Sequence, residues 1–270
     1  MAISAQNKIE IGIIGAGHMG LALVRGFLRS GVKPSALIVA SPQPSKLGTL
    51  KRRGVWVVSD NRQAALRARI IMVAVKPQVV ASVLSEIRDD VRTQLVVSVA
   101  AGITVASIGR NLRRKTRIAR IMPNMPVADG RGVIGLFTKN VPKTERNRLR
   151  GTLQRLGIVI EVAKEKELDA LTLISGCGPG VVSYLLTLMA HEAQSLGLSE
   201  TDATRVALAT FEGTLRHLEA RRISPQKLQT AVATKGGVTA SMLLSLEKSS
   251  FKRDFAKAYK TGQKKIQSIG

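Results

Sequence analysis

At 270 residues and 44% hydrophobic content the chain can bury a large core, and two domains are expected. A single cysteine excludes an internal disulfide, and with only three scattered histidines it argues against a metal site, so no metal ligands are assigned. The formal charge of +24, from 42 Lys and Arg against 18 Asp and Glu, reads as a basic solvent face around anionic ligands that also adheres to polyanions. With 3% aromatic residues there are few stacking platforms, and no specific nucleic-acid partner is expected.

In chain order, Met1 to Lys8 lacks the apolar core of a signal peptide. No apolar stretch approaches the roughly 20 residues that cross a bilayer, so no membrane partner is expected and cytoplasmic residence is the default. The first predicted strand, Lys8–Ile14, runs into Gly15-Ala16-Gly17-His18-Met19-Gly20 and then a helix over 18–30. That is how a fold seats a dinucleotide pyrophosphate. Gly15 allows the tight turn, Gly17 lets the backbone approach the phosphates, and Gly20 lets helix and strand pack closely. The first helical N–H groups and the positive end of the helix dipole then face the anion.

Further strands are predicted at Ala36–Ala40, Val55–Val58, Ile70–Val75, Leu95–Val99 and Thr116–Ile121, with helices near 44–53, 61–67, 78–90 and 104–111. Nearly all-apolar strands separated by helices imply a doubly wound parallel sheet covered on both faces. Two shorter strands, Val133–Thr138 and Ile158–Val162, flank a basic helix over 143–155. Beyond about residue 164 the strand signal stops. Leu168 to Leu196 reads as one long apolar helical region broken at Gly176-Cys177-Gly178-Pro179-Gly180. Ser199 caps a helix reaching about Arg221, Ser224-Pro225 opens another, and Thr239 to Lys248 forms a fourth. In the last helix Phe251, Phe255, Ala258, Tyr259 and Ile266 make one stripe. The fold class is therefore α/β, a Rossmann sheet over 1–164 followed by an all-α domain over 165–270 that suggests dimerisation.

The end of the second strand, Ile38 to Lys46, has no acid where an NAD site usually carries one. Ser41 can hydrogen-bond a ribose phosphate and Lys46 or Arg52 can neutralise it, which favours NADPH, with NADH the alternative. Ala74-Val75-Lys76-Pro77 ends the fourth strand, with Lys76 supporting the phosphate or the loop. The small residues Val99-Ala100-Ala101-Gly102 let a nicotinamide lie against the backbone. In the helical domain, Thr234-Lys235-Gly236-Gly237-Val238-Thr239 precedes a helix and forms a second anion seat, sized for a carboxylate. Cys177 reads as a buried small residue. Two such seats suggest a reductase for a small acid.

In order and spacing these motifs resemble the pyrroline-5-carboxylate reductase family over nearly the whole chain: Ile13 to Gly20, Ala74 to Pro77, Ser98 to Thr104, Met122-Pro123-Asn124, Ser175 to Pro179 and Gly236 to Thr239. The resemblance implies a Rossmann domain, a helical dimerisation domain, a homodimer and a ring of dimers. It implies cofactor contacts at Ile14, Gly15, Ala16, Gly17, His18, Met19, Ser41, Asn61, Ala74, Val75, Lys76, Pro77, Val99, Ala100 and Ala101. An imino-acid substrate would be bound by Thr234, Gly236, Gly237, Val238 and Thr239, with the Thr239 hydroxyl near the ring nitrogen as the catalytic group. The chain departs from the family pattern at His18 (usually Asn), Lys235 (Pro), Val238 (Thr), Thr230 (Asp) and Cys177 (Ser). Two other readings follow from these departures and from the charge: a diverged paralogue reducing another cyclic imine or imino acid, and a non-catalytic NADP-binding protein with a polyanion-binding surface.

Overall fold

Strands that bury both faces need no polar alternation, and the apolar runs of the first half do form such strands in this computed structural model. Residues 9–268 are described; Lys8, expected to begin the first strand, and the rest of the segment read as lacking a signal peptide lie outside them. Six strands pair in parallel: β1 (Ile9–Ile14), β2 (Leu37–Ala40), β3 (Trp56–Val58), β4 (Ala68–Val73), β5 (Leu95–Ser98) and β6 (Arg117–Pro123). Two more, β7 (Gly132–Lys139) and β8 (Gly157–Glu161), complete the order β3-β2-β1-β4-β5-β6-β7-β8. β4 starts before the expected Ile70 because Ala68 pairs with Ile9, and it stops at Val73. β7 lies antiparallel to β6, since the short link after Pro123 is too brief for a crossover, whereas the helix over Lys143–Gln154 supplies the crossover that makes β8 parallel to β7.

The helices of this half are α1 (His18–Arg29), α2 (Gly48–Arg52), α3 (Asn61–Arg67), α4 (Pro77–Ile87), α5 (Val105–Arg110) and α6 (Lys143–Gln154). They close a core on each face of the sheet. Ile11, Ile13, Met72 and Val97 meet Leu23, Val24 and Phe27 of α1 and Leu149 and Leu153 of α6. Ile14, Ile38, Ile71 and Val96 meet Val80, Leu84 and Ile87 of α4 and Ile108 of α5. Adjacent residues of one strand thus enter opposite cores, as a pleat requires.

By internal contacts the chain divides into one unit that runs to Pro179 and takes in the chain from Gln263, and a second unit, Gly180–Gly262. The expected break at Gly176–Gly180 takes the form of a bend at Cys177. α7 (Glu167–Leu171) continues through a π-turn, Thr172–Gly176, into α8 (Gly178–Ser195), and the Cys177 N–H donates to the Thr172 carbonyl at 2.8 Å. Pro179 sits in the first turn of α8, where its missing N–H costs nothing. Two expectations are corrected as a result. Cys177 is exposed rather than buried. The 29-residue helical stretch Glu167–Ser195 is, by length and composition, long and apolar enough to cross a membrane, although no apolar stretch was expected to come near that length.

The remaining helices are α9 (Glu200–Arg221), α10 (Pro225–Val232), α11 (Val238–Lys248) and α12 (Phe251–Gln267). Ser199 and Ser224 cap α9 and α10, accepting from the N–H groups of Asp202 and Lys227. Among the described residues beyond Ser175 only Ala203 and Ala207 are buried. Val182, Leu188, Leu208, Leu215 and Met242 are all exposed in the single chain. A helical unit with so little interior of its own needs a partner surface to cover it.

Candidate active site

The carboxyl ends of β1 and β4 lie side by side at the point where the strand order reverses, β2 and β3 on one side of β1 and β4 and β5 on the other. Open sheets bind ligands at that crevice. Gly15 leaves β1 with a φ of +104° and donates its N–H to the Ala40 carbonyl at 2.9 Å; a side chain there would press on the Ala74 carbonyl oxygen. A Cβ at Gly20 would collide with the Gly15 carbonyl. Gly17 differs from both: its φ of −72° is ordinary, and a Cβ there would meet nothing within 4 Å. The fold does not need a glycine at 17. It leaves open space directly over the start of α1.

That start is a vacant set of donors. The first intrahelical bond runs from Leu21 N to Gly17 O at 2.9 Å, so the N–H groups of His18, Met19 and Gly20 have no partner inside the helix. No side chain caps α1, and no acid lies in its first turn. The open space at Gly17 together with these donors fits a pyrophosphate.

The other expected nucleotide residues are distributed around this turn. Ser41, buried just past β2, donates its N–H to Val58 O at 3.0 Å, and its Oγ accepts from Gln43 N at 3.3 Å. The hydroxyl shapes its own loop and keeps its proton free to donate. Asn61 opens α3, and its amide donates to Glu86 Oε2 on α4 at 2.8 Å, a commitment the sequence did not suggest. Ala74 N bonds Ile14 O at 2.8 Å, which holds the ends of β1 and β4 together. Lys76 caps α4 and is exposed, with Pro77 opening the helix. Past β5, Val99 N donates to Val73 O at 3.1 Å, and Ala100 N donates to Ser98 Oγ at 3.2 Å.

One constellation was missed. Arg120, buried on β6, donates to Glu165 Oε1 at 2.8 Å, and the same oxygen accepts from Val105 N at 2.7 Å. Glu165 therefore ties the loop leaving β5 to β6 and to the segment ahead of α7. The pair borders a cavity of about 390 Å³ also lined by Gly102, Thr104 and Asp169. The only sequence signal was an arginine inside an apolar strand, which must find an acid if it is to be buried. Glu165→Ala is expected to lower stability by about 2 kcal/mol, because Arg120 and Val105 N both lose their acceptor. Urea denaturation checks this, and an unchanged midpoint would mean the pair is dispensable.

The second seat belongs to the helical unit. Thr234 to Gly237 forms a turn closed by Gly237 N to Thr234 O at 2.9 Å, with Gly236 at a φ of +75°. Gly237 caps α11 without side-chain help, and Ser241 N takes Gly237 O, which leaves the N–H groups of Val238, Thr239 and Ala240 unpaired within the helix. Thr239 is exposed in the first turn, and Lys235 is exposed in the turn itself. Thr230, which replaces an acid of the family pattern, bonds back to Gln226 O at 3.1 Å and stays on its own helix. These donors suit a small carboxylate.

Comparison with known proteins matches both parts. Residues 165–269 fit the model for pyrroline-5-carboxylate reductase dimerisation, and residues 10–102 fit that for NADP oxidoreductases, coenzyme F420-dependent. The chain is 33% identical to pyrroline-5-carboxylate reductase 3 of Danio rerio, over 97% of this chain and 92% of that protein. It is 30% identical to pyrroline-5-carboxylate reductase of Corynebacterium melassecola, over 96% of this chain and 98% of that one. Among solved structures, the pyrroline carboxylate reductase of Plasmodium falciparum with NADP bound superposes with a TM-score of 0.89 at 30% identity, covering 98% and 99% of the two chains.

Proposed function

The chain belongs to the pyrroline-5-carboxylate reductase family, and we propose from that premise that it reduces 1-pyrroline-5-carboxylate to L-proline with NADPH. The observation that carries this reading is the uncapped start of α1, open above Gly17 and backed by Gly15 and Gly20.

The backbone from Ile14 to Met19 would hold the pyrophosphate of NADPH. Ser41 would donate to the ribose phosphate, where no carboxylate stands to repel it. Asn61 and Ala74 to Pro77 would line the remainder, and the small residues Val99, Ala100 and Ala101 leave a flat wall for the nicotinamide. Bound NADPH supplies the hydride that the imine carbon accepts. The unpaired N–H groups at the start of α11 hold the substrate carboxylate, with Thr234, Gly236, Gly237 and Val238 shaping the seat. The Thr239 hydroxyl orients the ring nitrogen. A protonated cyclic imine is already a good acceptor, and the product amine keeps its proton, so positioning does most of the work and no dedicated general acid is required.

The protein is a homodimer, which accounts for a helical unit that buries only two alanines by itself. We further propose that dimers assemble into a ring, that residues 1–164 form the nucleotide domain and 165–270 the dimerisation and substrate domain, and that the enzyme resides in the cytoplasm, where the lone exposed Cys177 would stay reduced. Because folding is coupled to pairing, a 100-fold dilution is expected to lower Tm by about 5 °C. A Tm independent of concentration would contradict the coupling. For the activity itself, NADPH oxidation should depend on added pyrroline-5-carboxylate and exceed NADH oxidation by about tenfold in kcat/KM. The same rate with and without the imine would refute the assignment.

A further inference from the structure

The charge imbalance is not spread evenly over the nucleotide-binding unit. Parallel pairing fixes where strands begin: Ile9 lies opposite Ala68, Ile38 opposite Trp56, Ile70 opposite Leu95, and Leu95 opposite Arg117, so β1 to β6 all start at one edge of the sheet. The antiparallel β7 ends at that same edge, with Lys139 opposite Ile118. Exposed cations mark this edge at every strand from β3 to β7 except β1: Arg53 before β3, Lys33 before β2, Arg69 at the start of β4, Arg92 before β5, Lys115 before β6, and Lys139. Cations in the last turns of the helices are accounted for by the helix dipole; of these six only Arg53, the C-cap of α2, adjoins such a turn.

The acids nearby are already taken. Asp90 is held by Arg62 at 2.8 Å, Asp89 by Arg113 at 3.0 Å and Glu145 by Arg117 at 2.7 Å, which leaves Glu10 as the exposed acid at the strand starts. The opposite edge, where the nucleotide residues lie, is mixed: Lys46, Lys76, Arg131 and Arg155 stand with Asp60 and Asp129.

We infer that this strand-start edge binds the phosphate backbone of double-stranded nucleic acid without regard to sequence. Neighbouring strands are about 4.8 Å apart, so the row from β3 to β7 is about 29 Å long. Duplex DNA presents a phosphate charge every ~1.7 Å of axis, and about nine base pairs lie along such a row. The ligand is a linear polyanion because the row is linear, and arginine forks suit phosphate oxygens. A bilayer is disfavoured: the large apolar side chains exposed along the row are Trp56 and Leu66 at its β3 end, so its centre offers charge with nothing to insert. Base readout is absent for the same reason, since the row holds only one aromatic ring, Trp56, with the Arg67 guanidinium 5.3 Å from its centre. The surface is separate from the reductase chemistry and does not depend on it.

The test is titration of a fluorescent duplex, about twice the length of the row, with the full-length NADPH-loaded enzyme at several salt concentrations. Six engaged cations give a slope of log K against log salt of about −5. Arg92→Glu with Lys115→Glu should bring the slope to about −3.5 and weaken binding at least tenfold at low salt, with kcat and KM for the imine unchanged. Arg131→Glu with Arg155→Glu, an equal charge change at the opposite edge, should leave the slope near −5. If the first pair does not fold, Lys115→Glu alone should move the slope by about one. No binding at low salt, equal loss in both pairs, or capture by phosphatidylserine vesicles in place of the duplex would each overturn the inference.

Discussion

Gly17→Val is expected to abolish NADPH binding in a protein that folds normally. The backbone at 17 is in a conformation any residue adopts, and the direction of its missing side chain is empty, so nothing in the fold resists a valine. What the valine would fill is the space over the free N–H groups of His18, Met19 and Gly20. A branched side chain there holds phosphates away from donors that act only at hydrogen-bond distance. Binding should weaken at least 100-fold, roughly 3 kcal/mol, with Tm within a degree or two of the parent. The contrast is Gly20→Val, which must drive into the Gly15 carbonyl and should lower Tm as well. Titration of NADPH by protein fluorescence or calorimetry, run beside a thermal melt, separates the two. Tight NADPH binding by Gly17→Val would place the pyrophosphate elsewhere.

Thr239→Ala should act on turnover and spare the cofactor. Thr239 sits in the first turn of α11, exposed, beside backbone donors that need no side chain to hold a carboxylate. Removing its hydroxyl removes the group proposed to orient the ring nitrogen, worth about 1.5 to 3 kcal/mol, or roughly 10- to 100-fold in kcat. KM for the imine should change much less, and the NADPH dissociation constant should not change. Thr239→Ser keeps the hydroxyl and should recover most of the rate. Unaltered kinetics for the alanine variant would remove Thr239 from the site.

Much of the sheet was legible because its strands are buried on both faces, and runs such as Ile70 to Val73 and Leu95 to Val97 have no other reading at that length. The start of α1 was legible for a different reason: of three glycines at fixed spacing, Gly15 and Gly20 answer steric demands of the fold and Gly17 leaves open space over the helix start. What was misread depended on partners distant in sequence. Glycines and a proline at 176–180 mark the bend between the π-turn and α8, but local pattern gave no π-turn and left Cys177 buried, whereas it is exposed. Arg120 stood out as a charge in an apolar strand, but its acceptor, Glu165, lies in a segment that local pattern leaves as loop. Asn61 was placed at the nucleotide only by resemblance, and its amide is engaged with Glu86.

The central claim is that one seat holds a dinucleotide diphosphate and another a small imino acid for hydride transfer between them. It is tested most directly by isotope. With NADPH carrying deuterium at the transferable position of the nicotinamide and pyrroline-5-carboxylate as acceptor, the purified homodimer should yield proline labelled once, at the former imine carbon, in amounts equal to the NADPH consumed. Proline without label, or NADPH consumed with no proline formed, would contradict the account.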